Sequence, residues 1–63
     1  MAYVLRAAGS GRSLWVRCES ELWGLVSERP LATRWPDLVA LQWALERAPG
    51  PIRVAAEVED ADA

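Results

Sequence analysis

The sequence predicts a small two-layer α+β domain, an antiparallel or mixed sheet with one helix packed on one face, in the order β–β–β–α–β. Three observations carry this. Two runs near the start alternate apolar and polar residues with period two and are separated by a Gly-rich link. A helical apolar stripe lies between Pro36 and Pro49-Gly50-Pro51. A last run alternates again before an acidic end.

The first hairpin is the firmest element. In residues 2–8, Tyr3, Leu5 and Ala7 share one side, and Val4 and Arg6 the other. In residues 13–19, Leu14, Val16 and Cys18 oppose Trp15, Arg17 and Glu19. Gly9-Ser10-Gly11-Arg12 has the length and glycine content of a hairpin loop. A four-residue loop pairs Ala7 with Leu14, Leu5 with Val16 and Tyr3 with Cys18, and places Arg6 by Trp15 and Val4 by Arg17. A one-residue slip would destroy that agreement. Arg6 over the Trp15 ring is the expected cation–π pair.

Residues 22–27, Leu-Trp-Gly-Leu-Val-Ser, read as a third strand entered by a tight turn at Glu19-Ser20-Glu21. Gly24 marks a bulge or bend. Residues 28–33 form a connecting loop anchored by Leu31, and Trp35 closes the core at the helix entrance.

In the helix, Pro36 fits the first position and Asp37 the first turn, where it favours the helix dipole. Leu38, Leu41, Leu45 and Ala48 form the stripe that faces the sheet. Gln42, Glu46 and Arg47 form the polar side, with Val39 and Trp43 on the shoulder. Residues 52–58 read as the final strand, with Ile52, Val54, Ala56 and Val58 inward and Arg53, Ala55 and Glu57 outward.

Composition narrows function. The 63 residues make a single domain, with an acidic C-terminal end from about Glu57. A chain this short buries only about 60% of its unfolded surface, so not all four Trp can be hidden. The chain has no His, no Lys and one Cys, Cys18. A Cys–His nucleophile pair and an intrachain disulfide are excluded by residue type. No cofactor, no metal and no small-molecule substrate is expected, and catalysis is disfavoured. The single Cys predicts a reducing, cytoplasmic setting. No signal segment and no membrane-spanning run is expected from this sequence.

The net charge of −2 is unevenly spread. Glu57, Glu59, Asp60 and Asp62 hold four of the nine acids, which leaves five acids against seven Arg in the rest. With Glu19, Glu21 and Glu28, the acidic end offers a line of negative charge suited to a basic groove. The same acids also serve solubility. Trp43 with Val39 is an interface candidate, unless it packs on the loop at 29–33. Arg6, Trp15 and Arg17 form a candidate nucleic-acid face, diluted by Glu19.

Two families share features with these residues. The order of elements, with Leu22-Trp23-Gly24-Leu25-Val26-Ser27 ahead of a helix, resembles the HicB-type antitoxin fold. The Gly-Cys pair and acidic helix start of that family are missing, so no functional residue carries over. The short, acidic, cysteine-poor chain with its Glu57-Val58-Glu59-Asp60-Ala61-Asp62 end also resembles small anti-CRISPR inhibitors of phages and mobile elements. That resemblance implies a protein partner in the host-cell cytoplasm, a CRISPR effector whose nucleic-acid groove is blocked by an acidic surface. The partner-binding residues would be Glu19, Glu21, Glu57, Glu59, Asp60, Asp62 and Trp43. The alternatives are direct nucleic-acid binding through Arg6, Trp15 and Arg17, and an antitoxin-like or oligomerising module whose edge strand pairs with another copy.

Overall fold

The computed structural model describes residues 2–8, 11 and 13–62. The strands are β1 (Tyr3–Ala7), β2 (Leu14–Glu19), β3 (Leu22–Val26) and β4 (Ala56–Asp60). A 3-10 turn (Arg29–Leu31) and the helices α1 (Leu38–Arg47) and α2 (Gly50–Ala55) lie between β3 and β4. The four strands form one antiparallel sheet in the order β3-β2-β1-β4. This is the expected small α+β fold, with the strand order now fixed: β3 and β4 are the two edges.

The hairpin loop at 9–12 lies outside the described residues except for Gly11, whose φ of 72° uses the left-handed freedom of glycine. The expected register holds where β1 leaves that loop, with Ala7 opposite Leu14 and Arg6 opposite Trp15. There the ladder stops, and the expected pairs Leu5–Val16, Val4–Arg17 and Tyr3–Cys18 do not form. The segment around Thr33 and Trp35 is inserted instead. Tyr3 exchanges both backbone hydrogen bonds with Trp35, each 2.8 Å. The Thr33 N–H donates to the Val16 carbonyl at 3.2 Å. Thr33 Oγ1 accepts from the Cys18 N–H at 2.7 Å and donates to the Cys18 carbonyl at 3.0 Å. A hydroxyl thus does the work of a strand residue's two backbone groups. The insertion carries Trp35 into the core at 8% exposure, beside Leu5, Val16 and Leu41.

The turn between β2 and β3 is tight, as expected. Glu19 pairs with Leu22 across a two-residue loop, and Ser20 and Glu21 both have positive φ, 50° and 65°. That is the geometry of a type I′ turn, whose twist matches the strands it joins. Neither residue is Gly, Asn or Asp, so the left-handed conformation costs about 1–2 kcal/mol at each.

The helix starts later than the sequence suggests. Asp37 is the N-cap, not a first-turn residue, and its side chain accepts from the Ala40 N–H at 2.8 Å. Such a cap contributes about 1 kcal/mol. Pro36 therefore precedes the cap. Leu38, the first helical residue, is 52% exposed and lies outside the packing face, a correction to its place in the buried stripe. The face that packs consists of Ala40, Leu41, Ala44 and Leu45, with Ala48 just beyond.

A second correction concerns residues 52–55, which are helical and not part of the last strand. Pro51 sits in the first turn of α2, where a missing N–H is harmless. Pro49-Gly50-Pro51 therefore ends one helix and opens the next. Ile52 and Ala56, four apart, pack on the core. Val54, 87% exposed and helical, is therefore not an inward strand residue, whereas Val58 lies opposite Leu5 on the inward face as expected and is 49% exposed only because β4 is an edge. The strand begins at Ala56, opposite Ala7, and runs to Asp60, opposite Tyr3.

Candidate protein-interaction surfaces

The sheet face away from α1 carries the charged side chains, because Arg6, Trp15 and Arg17 alternate with the core residues of β1 and β2. Glu57 and Glu59 join them from β4, in register with Arg6 and Val4. Val4 is nonetheless 2% exposed, since the chain around Arg29, Pro30 and Arg34 crosses over it.

That crossing decides what becomes of the acids. Glu59 lies within 3.6 Å of Arg6 Nη1 and 3.5 Å of Arg29 Nε, and faces the Trp15 indole N–H at 3.4 Å. Arg6 thus meets a carboxylate, not the Trp15 ring. Arg29 also donates to the carbonyls of Asp60 at 2.6 Å and Ala61 at 3.2 Å. Asp60 accepts from the Asp62 N–H, and Asp62 pairs with Arg34, both at 2.8 Å. Glu19 pairs with Arg17 at 3.0 Å, and Arg17 also reaches the Leu31 carbonyl at 3.5 Å.

Of the seven acidic and aromatic candidates, then, Glu19, Glu59, Asp60 and Asp62 hold partners within the chain. Glu21 and Glu57 are exposed and have no ion-pair partner among the described residues. Glu21 occupies the β2–β3 turn, and Glu57 points outward from β4, so the candidates do not form one line. Arg6, Trp15 and Arg17 share a face as expected, but carboxylates occupy all three.

Trp43 is 64% exposed and so does not pack on the loop at 29–33. The Arg47 guanidinium lies over its ring, 5.9 Å from the centroid. Arg47 also lines an open cleft of about 560 Å³ with Glu21, Trp23 and Cys18. Val39, one turn before Trp43, is 67% exposed. Among the described residues, no group of three or more His, Cys, Asp or Glu is placed to hold a metal ion, and no helix is long and apolar enough to cross a membrane.

No family model, curated protein or solved structure matches the chain. Function must be argued from its surfaces.

The surface that sequence reasoning missed is the edge of β3. Its five residues, Leu22-Trp23-Gly24-Leu25-Val26, carry no charge. Leu22 is 77% exposed and Leu25 47%. A shallow groove of about 380 Å³ runs along it, walled by Arg17 and Glu19 and open at Gly24. A Cβ built on Gly24 meets nothing within 4 Å, and its φ is not positive. Neither backbone geometry nor packing demands glycine there. The signal was present, since 22–26 is the one described strand without a charged residue, but it has meaning only once β3 is known to be an edge.

Proposed function

We propose that this protein is a non-catalytic protein-binding domain whose principal docking surface is the open edge of β3. The observation that carries the reading is an uncharged, apolar edge strand with Leu22 and Leu25 exposed. Soluble proteins normally protect such an edge with charge, proline or a covering segment, because its unpaired backbone groups template another strand. Strand addition draws affinity from backbone hydrogen bonds and specificity from alternate side chains. The lack of His and Lys in the sequence supports a role without chemistry.

A second reading keeps the acidic surface: an inhibitor, in its sharpest form an anti-CRISPR protein, that blocks the nucleic-acid groove of its target. Exposed Glu57 and Glu21, free of ion pairs among the described residues, favour it. Direct nucleic-acid binding has less support, since Arg6 and Arg17 are already paired with carboxylates.

One comparison separates these. Partner capture from the native host is measured for the wild type, for Leu22→Lys/Leu25→Lys and for Glu21→Lys/Glu57→Lys. Loss in the first variant alone supports the β3 edge. Loss in the second alone supports the acidic inhibitor. Retention in both, with circular dichroism confirming the fold and self-association also unchanged by Leu22→Lys/Leu25→Lys, removes both readings.

A further inference from the structure

We infer that the occupant of the β3 edge is a second copy of this chain, joined antiparallel across a two-fold axis at Gly24. The inference rests on the reading of β3 as a docking edge and names its partner.

The phase of the backbone limits the choice. Val16 and Cys18 direct their backbone groups toward β1 and the inserted Thr33. By alternation Arg17 faces β3, where it is paired with Gly24. Trp23 and Leu25 therefore turn their N–H and C=O groups outward from the sheet. A two-fold antiparallel pair must match these outward residues with each other. Centring on Gly24 sets Trp23 against Leu25 of the second copy, Leu22 against its Val26 and Gly24 against its Gly24. Among the registers this phase allows, that one pairs all five residues of the strand, and every pair is uncharged. Shifting the centre to Trp23 sets Leu25 against Glu21 of the second copy.

Charge at the ends agrees. Glu21 meets Ser27 of the second copy and Glu28 meets its Ser20, so no carboxylates face each other. The strand itself offers no charge to pair with a charged peptide, whereas a second copy supplies an apolar strand of the same length. Such an isologous contact is self-complementary by construction. It would extend the four-stranded sheet of each copy into one continuous sheet.

Area is the remaining requirement. A specific interface takes about 600 Å² or more from each partner, a substantial share of a chain exposing 4300 Å² in all. The strand alone falls short. Both copies of α1 would lie on the same side of the joined sheet, and Arg47 links the cleft beside Trp23 to exposed Trp43. Trp43, 64% exposed and in contact with Arg47 at that cleft, is the apolar side chain placed to add area beside the strand.

Sedimentation equilibrium of the full chain tests this. A species of about 14 kDa is expected, twice the 7.0 kDa of one chain. Leu25→Lys should return it to one chain with an unchanged circular dichroism spectrum. Gly24→Cys, with Cys18→Ser to leave one thiol, should form an intermolecular disulfide on mild oxidation, since facing residues in a non-hydrogen-bonded pair lie within bridging distance. Leu22→Cys in the same background should not. A dimer indifferent to Leu25→Lys, or cross-linked through Leu22→Cys and not Gly24→Cys, overturns the interface. A monomer at every concentration overturns the second copy. Amide exchange of that monomer with an unrelated apolar extended peptide then shows which idea failed. Protection of Trp23 and Leu25 amides keeps the docking edge, and free exchange removes it as well.

Discussion

The two edges of the sheet are built on opposite plans. β4, Ala-Glu-Val-Glu-Asp, carries three acids, and the chain around Arg29 and Arg34 is folded back to hold its end. β3, Leu-Trp-Gly-Leu-Val, carries no charge and ends in the open. Charge on an edge strand discourages pairing with other chains, and the lack of it invites pairing. In a chain of 63 residues the difference is informative, because a small core leaves little stability to spare for exposed Leu22 and Leu25. The end of one edge is clamped by the chain itself. The other carries no such clamp among the described residues.

Arg29→Ala is the largest test of that contrast. It removes two hydrogen bonds to the carbonyls of Asp60 and Ala61 and one ion pair to Glu59. Bonds from a charged donor contribute about 1.5–3 kcal/mol each when buried, and Arg29 is one-third exposed, so a net loss of about 2 kcal/mol is expected in urea unfolding. A loss below about 0.5 kcal/mol, the level of an ordinary surface position, would mean that β4 needs no clamp.

Gly24→Val should act with the opposite sign at the other edge. Open space receives the new side chain, and a β-branched residue suits a strand better than glycine, so a gain of about 0.5–1 kcal/mol is expected for the monomer. Measured in dilute solution, a destabilisation would show that Gly24 serves the fold and not the edge. The smallest effect belongs to Arg34→Ala. Its ion pair with Asp62 is more than half exposed on both sides, so a change of about 0.5 kcal/mol or less is expected, and it should shrink further in added salt.

What the sequence makes legible follows from how local each feature is. Strand alternation, the Glu19–Glu21 turn and the helix stop at Pro49 depend on neighbours in the chain, and all appear in the structure. Residues 52–55 misled because an apolar residue at every second position, Ile52-Arg53-Val54-Ala55-Ala56, also contains the helical spacing of Ile52 and Ala56. Pro51 was the available signal for the helix. The parting of β1 from β2 was not legible, because it depends on a hydroxyl at Thr33 meeting Cys18, fifteen residues away. The acids were segregated in sequence, yet their partners Arg6, Arg29 and Arg34 approach from other elements. Exposure of β3 needed the strand order, which no local pattern specifies.

The inserted Thr33–Trp35 segment has a consequence for the route by which the chain folds. A hairpin ordinarily zips from its turn to its open end, but here β1 and β2 can zip only through Ala7–Leu14 and Arg6–Trp15. The remaining half must wait for a segment that reaches it by way of β3 and the 3-10 turn, and closing that longer loop costs more entropy. Insertion should therefore follow the rate-limiting step. Thr33→Val, which deprives both Cys18 backbone groups of their partner, is expected to speed unfolding and leave the folding limb of the chevron almost unmoved. Equal movement of the two limbs would place the insertion inside the nucleus. With late insertion, the last element to arrive is also the one that seats Trp35, so the fluorescence of Trp35, isolated by Trp15→Phe, Trp23→Phe and Trp43→Phe, reports the completion of the fold.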